Sequence, residues 1–151
     1  MSTITESVDV EVPAATAYEQ WTRFETFPSF MEGVESVSRI DDTFTHWVTS
    51  IGGVTREFDA AVTELQPWER VAWRSISGPT HAGVISFAPL DDDTTRVTAQ
   101  MDIDPEGFAE NAADKLGVLD RRVHGDLHRF KEFIEGRGDA GAGREPDPLG
   151  F

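Results

Sequence analysis

FAENAADKLGVLDRRVHGDLHRFKEFI, residues 108–134, is the stretch that decides the fold. Phe108, Ala112, Leu116, Leu119, Val123, Leu127, Phe130 and Ile134 follow one another at steps of three or four, the period of a single helix face. Glu110, Asp114, Asp120, Arg121, Asp126 and Lys131 lie off that line. The spacing predicts an amphipathic helix with one unbroken apolar face. At 1.5 Å per residue it reaches roughly 40 Å, about twice a typical strand, so a sheet beneath it must be curved and crossed diagonally, or be overshot. Gly136 and Gly138 are read as its stop, and residues 137–151, rich in Gly, Pro and Asp, as a flexible acidic tail outside a domain of residues 1–136. Gly117 and Gly125 interrupt the helix at about 1 kcal/mol each against alanine, a cost that predicts close approach to something, with backbone packing on the sheet as the plain account.

Upstream, from Val34 to Asp104, the period shortens toward two and turn residues punctuate the text. Strands are expected over 34–40, 44–51, 54–65, 70–77, 81–87 and 94–103. They are separated by Asp41-Asp42-Thr43, Gly52-Gly53, Gln66-Pro67-Trp68-Glu69, Gly78-Pro79 and the run Pro89 to Asp93. The connections are short, so sequence neighbours should pair antiparallel as a meander. Ile4 to Val12 alternates as a seventh strand, Pro13 suits the first turn of a short helix ending at Trp21, and Phe24, Phe27, Phe30 and Met31 mark a second short helix broken by Pro28. The whole reads as α+β: a seven-stranded curved antiparallel sheet, two short helices and a long C-terminal helix.

Composition bounds the function. The 151 residues fit one domain that buries roughly 70% of its unfolded surface. Cysteine is absent, which excludes disulfides, thiolate metal sites and cysteine nucleophiles. There are 28 acidic against 13 basic residues, a formal charge of −15, and the only lysines are Lys115 and Lys131. That field repels nucleic-acid backbones and anionic membranes, and it suits either an ordinary acidic surface or solubility in a saline cytoplasm. The first residues carry neither a basic flank nor an apolar run, and no segment reaches the ~18 apolar residues of a membrane span, so a cytoplasmic protein without stable membrane insertion is expected, as monomer or homodimer. Phosphate-binding glycine loops, dinucleotide fingerprints and nucleophile elbows are missing.

The chain resembles the START-like, helix-grip superfamily, also called SRPBCC proteins, and in particular its polyketide cyclase/dehydrase and coenzyme-Q-binding-like group. The resemblance covers Thr3 to about Gly136. It rests on Val12-Pro13-Ala14, Tyr18 and Trp21, the stretch from Phe24 to Met31, Gly53 with the run Glu57 to Ala60, Val71 to Ser75, Gly83 to Phe87, Thr95 to Thr98 and Glu132 to Glu135. It implies a deep apolar cavity between sheet and long helix, with its mouth near the short helices and hairpin loops. The superfamily's functions diverge, so the fold does not choose among them.

Strand and helix phase place Phe58 and Val62, Trp73, Val97 and Met101, and Leu116, Leu119 and Val123 on faces that could enclose such a pocket, with Trp47 on a strand apolar on both sides. Phe24, Phe27, Phe30 and Met31 stand at its expected mouth. For any one of these thirteen residues plain core is the simpler reading; it is the abundance of aromatics near the expected mouth, taken together, that points to a ligand site. Glu57 and Asp59 should point outward, His81 reads as a loop residue, and His124 and His128, four apart on the helix, read as solvated because no third metal ligand is evident. The expected function is binding of a hydrophobic small molecule, a lipid, quinone or polyketide-like aromatic, with no cofactor or metal. A cofactor-free cyclase or dehydratase, and an interaction module whose core is self-filled, are the alternatives. No catalytic residue is assigned.

Overall fold

A computed structural model describes residues 2–51, 54–104 and 115–143. The expected Gly52-Gly53 turn, the helix start over residues 108–114, tail residues 144–151 and the Leu116 side chain lie outside the described residues. Seven strands, β1 (Ser2–Val10), β2 (Val34–Arg39), β3 (Phe44–Ile51), β4 (Val54–Gln66), β5 (Arg70–Ser75), β6 (His81–Asp91) and β7 (Thr94–Ile103), form one antiparallel sheet in the order β1-β7-β6-β5-β4-β3-β2. The expected meander is the observed one, with β1 closing onto the last strand. Register shifts at Val34/Ser36, Val62/Glu64 and Pro89/Asp91 each add local bend and twist, which helps to curve the sheet.

Several strand ends differ from the sequence reading, and two of them have a visible cause. β6 runs on through Pro89 and Leu90, where a turn is expected, because the proline falls beside a register shift, a place where a missing N–H is tolerated. β1 stops at Val10 instead of Val12: the Val12 carbonyl leaves the ladder and accepts the Thr95 hydroxyl at 2.8 Å. From there Pro13 enters α1 (Ala14–Trp21), its carbonyl accepting the Ala17 N–H at 3.1 Å. The second short element is a 3-10 helix, Phe24–Ser29, containing Pro28.

The long helix, α2 (Lys115–Gly143), does not stop at Gly136 or Gly138. A helical glycine costs about 1 kcal/mol but breaks no hydrogen bond, and a side chain at Gly136 would meet nothing within 4 Å, so nothing there forces the backbone to turn. Nor does Gly125 answer to a close approach by the sheet: the atoms nearest a Cβ placed on it belong to Arg129 of the same helix. The intimate glycine is Gly83 on β6, where a Cβ would lie 2.6 Å from the Trp73 ring and 2.9 Å from Met101 Sδ. The predicted apolar stripe is the buried one, with Leu119, Val123, Leu127, Phe130 and Ile134 all inside. Helix and sheet sandwich a single core that extends from the aromatic short helices to the middle of the sheet.

Candidate functional site

Much of the interior between helix and sheet is filled by rings. Phe27 sits at the hub, with ring centroids 5.2 to 5.9 Å from Phe24, Trp21, Trp47, Phe30 and Trp73. Phe30 and Trp21 pass the contact on to Phe130 of α2. Trp47 lies near-parallel to both Phe58 and Trp73 across β3, β4 and β5. These side chains are buried and touch one another, so Phe24, Phe27 and Phe30 are packed core and not the rim of an open mouth.

Beside the rings a space is left open. A cavity of about 50 Å³ lies between α2 and strands β6 and β7. That volume equals a few waters, at roughly 10–15 Å³ each. Its walls are apolar: Ile85, Ala99, Met101 and Ile103 from the sheet, Leu119, Val123 and Leu127 from the helix, Met31 and Val34 from the segment beside the 3-10 helix, and Trp21. Of the thirteen expected site residues, Met31, Met101, Leu119 and Val123 line it among the described residues. Phe24, Phe27, Phe30, Trp47, Phe58, Trp73 and Val97 belong to the adjoining core, and Val62 packs half-buried against it.

Polar groups enter at defined points. His81 opens β6 and is buried, contrary to its reading as a loop residue. Gly78, at φ +70°, turns the chain so that the Ser75 hydroxyl accepts the His81 N–H at 3.0 Å and the ring swings inward. There it stacks on Phe58 and contacts Trp47, and the Trp73 indole donates to its Nδ1 at 3.2 Å. Burial pushes its pKa down to about 4. The ring is therefore neutral near pH 7, and because Nδ1 accepts, the proton sits on Nε2. Thr49 also lines the cavity, buried on β3, and Trp21 brings a buried indole N–H with no acceptor among the described residues.

Charges gather at the mouth. Arg122 and Asp126, one turn apart on α2, line the cavity next to Gly33. The Arg122 guanidinium donates to Glu32 at 2.7 Å, and the Glu32 N–H donates to Asp126 at 3.1 Å. Arg129 pairs with Asp126, reaches Glu32 at 3.4 Å and donates to the Phe30 carbonyl at 3.1 Å. Burial raises Asp126 to about 6 against the opposing pull of Arg129 and Arg122. Helix phase could have found this group, since positions 122, 126 and 129 flank the apolar stripe on one side. Its partner Glu32 could not be found that way, because it comes from an irregular segment.

The remaining polar candidates face away. Glu57 and Asp59 point outward as expected and clamp His46, at 3.0 and 2.7 Å, raising its pKa. His124 and His128 are exposed, with His124 paired to Glu6 at 3.0 Å, and no group of three metal-capable side chains occurs among the described residues.

A family model described as polyketide cyclase / dehydrase and lipid transport matches residues 10–132, which spans everything that builds the cavity. The chain belongs to this family. Within reach of its sequence is an uncharacterised 17.2 kDa protein of Streptomyces lincolnensis, 54% identical over 95% of this chain and 96% of that one. The family fold is shared with the Zhui aromatase/cyclase of a Streptomyces species, at TM-score 0.79 and 18% identity over 95% of this chain and 99% of that one. It is shared too with a START superfamily protein of Mycobacterium smegmatis, at TM-score 0.68 and 16% identity over 91% and 97%. Polyketide cyclase/dehydrase and lipid transport members are thus the frame for the site, and no described helix is long and apolar enough to cross a membrane.

Proposed function

We propose that this protein binds a hydrophobic small molecule, a lipid, quinone or polyketide-like aromatic, between α2 and the β6–β7 part of the sheet. The observation that carries the reading is a cavity with apolar walls left beside a core otherwise filled by rings. A domain that packs Phe24, Phe27, Phe30 and Phe130 ring against ring has the means to fill a gap, so a gap kept open at Ala99 and Met101 points to a guest. Burying apolar ligand surface supplies about 25 cal/mol per Å². The inner volume suits a slim group, and a fused multi-ring guest requires the segment around Met31 to move. The direct test is a thermal-shift panel of lipids, quinones and aromatic polyketides on the wild type and on Ala99→Leu, which fills the cavity. Stabilisation of the wild type and its loss in the variant support binding. No shift across the panel leaves the interaction-module reading.

A second reading has its own observation. His81 and Asp126 are titratable, line the cavity and are both displaced from their ordinary ranges, the pattern expected of groups set up for proton or carbonyl chemistry. A neutral Nε2–H donor and a carboxyl titrating near neutrality suit a cofactor-free cyclase or dehydratase. Turnover of a poly-β-keto substrate by the wild type that Asp126→Asn reduces at least about a hundredfold would support it. Equal conversion by both would remove it.

A further inference from the structure

Arg122 is a cation on the wall of an apolar cavity in a protein of formal charge −15. Its side chain is only 23% exposed, and such a guanidinium needs an anion close by. The anion it has is Glu32, a 62% exposed carboxylate on the segment between the 3-10 helix and β2, next to Gly33 on the cavity wall. Glu32 is thus held at the mouth from outside, while the cavity opens to Arg122 from inside. The cluster is balanced, two guanidiniums (Arg122, Arg129) against two carboxylates (Glu32, Asp126). An incoming carboxylate that takes the Glu32 position on Arg122 replaces one anion there by another, while the Glu32 side chain, already 62% exposed, keeps Arg129 as its partner and turns further into water, where its charge is cheaply hydrated. A neutral ligand gains nothing from the exchange, and a cationic one places its charge beside Arg122 and Arg129.

We propose that the ligand is an amphipathic carboxylate whose apolar body enters the cavity and whose carboxylate displaces Glu32 from Arg122. The inference rests on the binding role proposed above and adds the class of molecule bound. A guanidinium accepts a carboxylate through two parallel hydrogen bonds, which gives the contact direction as well as strength. Displacing Glu32 also frees the segment from Phe30 to Val34 from one of its ties to α2, so the anion that is recognised loosens the mouth through which its body passes. Asp126 and Arg129 continue to hold that segment through the Glu32 N–H and the Phe30 carbonyl.

Calorimetric titration with octanoate, octanol and octyltrimethylammonium at pH 7.5 tests it. Octanoate is expected to bind at least about tenfold more tightly than octanol, with the ammonium weakest of the three, as a charge-assisted pair replaces a neutral contact. Arg122→Gln should remove the preference, bringing octanoate down to the affinity of octanol measured on the same variant. Glu32→Gln, which deletes the competing anion, should tighten octanoate by about two- to fivefold. Octanol binding as well as octanoate to the wild type, or Glu32→Gln weakening octanoate, overturns the carboxylate assignment while leaving the cavity reading intact. If none of the three probes binds, both fall together. Should Arg122→Gln fail to fold, the wild-type series and Glu32→Gln decide the matter.

Discussion

The indole N–H of Trp73 meets Nδ1 of His81 at 3.2 Å, and this one contact decides which nitrogen of a buried histidine carries the proton. Trp can only donate, so Nδ1 must accept and the neutral ring must be the Nε2–H tautomer. Nitrogen NMR should therefore report that tautomer for His81, with no titration between pH 5 and 8. His46, held between Asp59 and Glu57, should titrate above the ordinary histidine value in the same spectra. A His81 resonance that moves with a midpoint near 6.5 would contradict the burial described above.

His81 and Asp126 pull stability in opposite directions with pH. The His81 pKa falls from 6.5 to about 4 on folding, so its neutral form is fully compatible with the fold above 6.5 and stability is lost as pH drops through that window. Asp126 rises from 3.8 to about 6, so its contribution is greatest below 3.8 and is lost as pH climbs through 6. Each change amounts to about 3 kcal/mol by linkage. Urea unfolding should show Asp126→Asn gaining about that much relative to the wild type between pH 4 and 7, and His81→Gln losing a similar amount over the same interval. Parallel pH profiles for the three proteins would refute the assignment.

Two glycines should respond to alanine with opposite signs. Gly83→Ala drives a methyl into the Trp73 ring and Met101 Sδ, in a core with no slack on the Trp73 side, and should cost about 1–3 kcal/mol. Gly136→Ala meets open space on a helix and should add up to about 1 kcal/mol. Melting temperatures of the two variants are the readout.

Trp21 and Trp47 are both buried, yet among the described residues only one of the two indole N–H groups has an acceptor, Trp47 donating to Thr45 Oγ1 at 2.9 Å. Replacing each with phenylalanine removes the same volume. Trp47→Phe also breaks a hydrogen bond, whereas Trp21→Phe removes an unsatisfied donor, so Trp47→Phe should be the more destabilising by about 1 kcal/mol. Equal losses in denaturant would place an acceptor at Trp21.

The architecture was legible because it is written in periods. The steps of three and four from Leu119 to Ile134 and the alternation through Val97, Ala99, Met101 and Ile103 give element type and buried face directly, and all of those residues are buried. Helix and strand ends were less legible: β6 runs past Pro89 and α2 past Gly136, because a neighbouring strand or an uninterrupted hydrogen-bond ladder outweighs a local breaker. The site was legible only in part. Alternation tells which way Phe58 or Met101 points, but not whether the space it points into is already occupied. Phe24, Phe27 and Phe30 have the composition of a lid and the packing of a core.

The sequence by itself determined the order of elements, the face each one buries, the absence of thiol chemistry and the acidic balance, since all of these follow from composition and from neighbours a few residues apart. Only the tertiary structure decided which apolar residues fill the interior and which leave it open, that His81 turns inward, and that Glu32 meets Arg122 across 90 positions of chain. Those outcomes depend on volume and charge brought together from distant segments, and no local pattern encodes the distance between them.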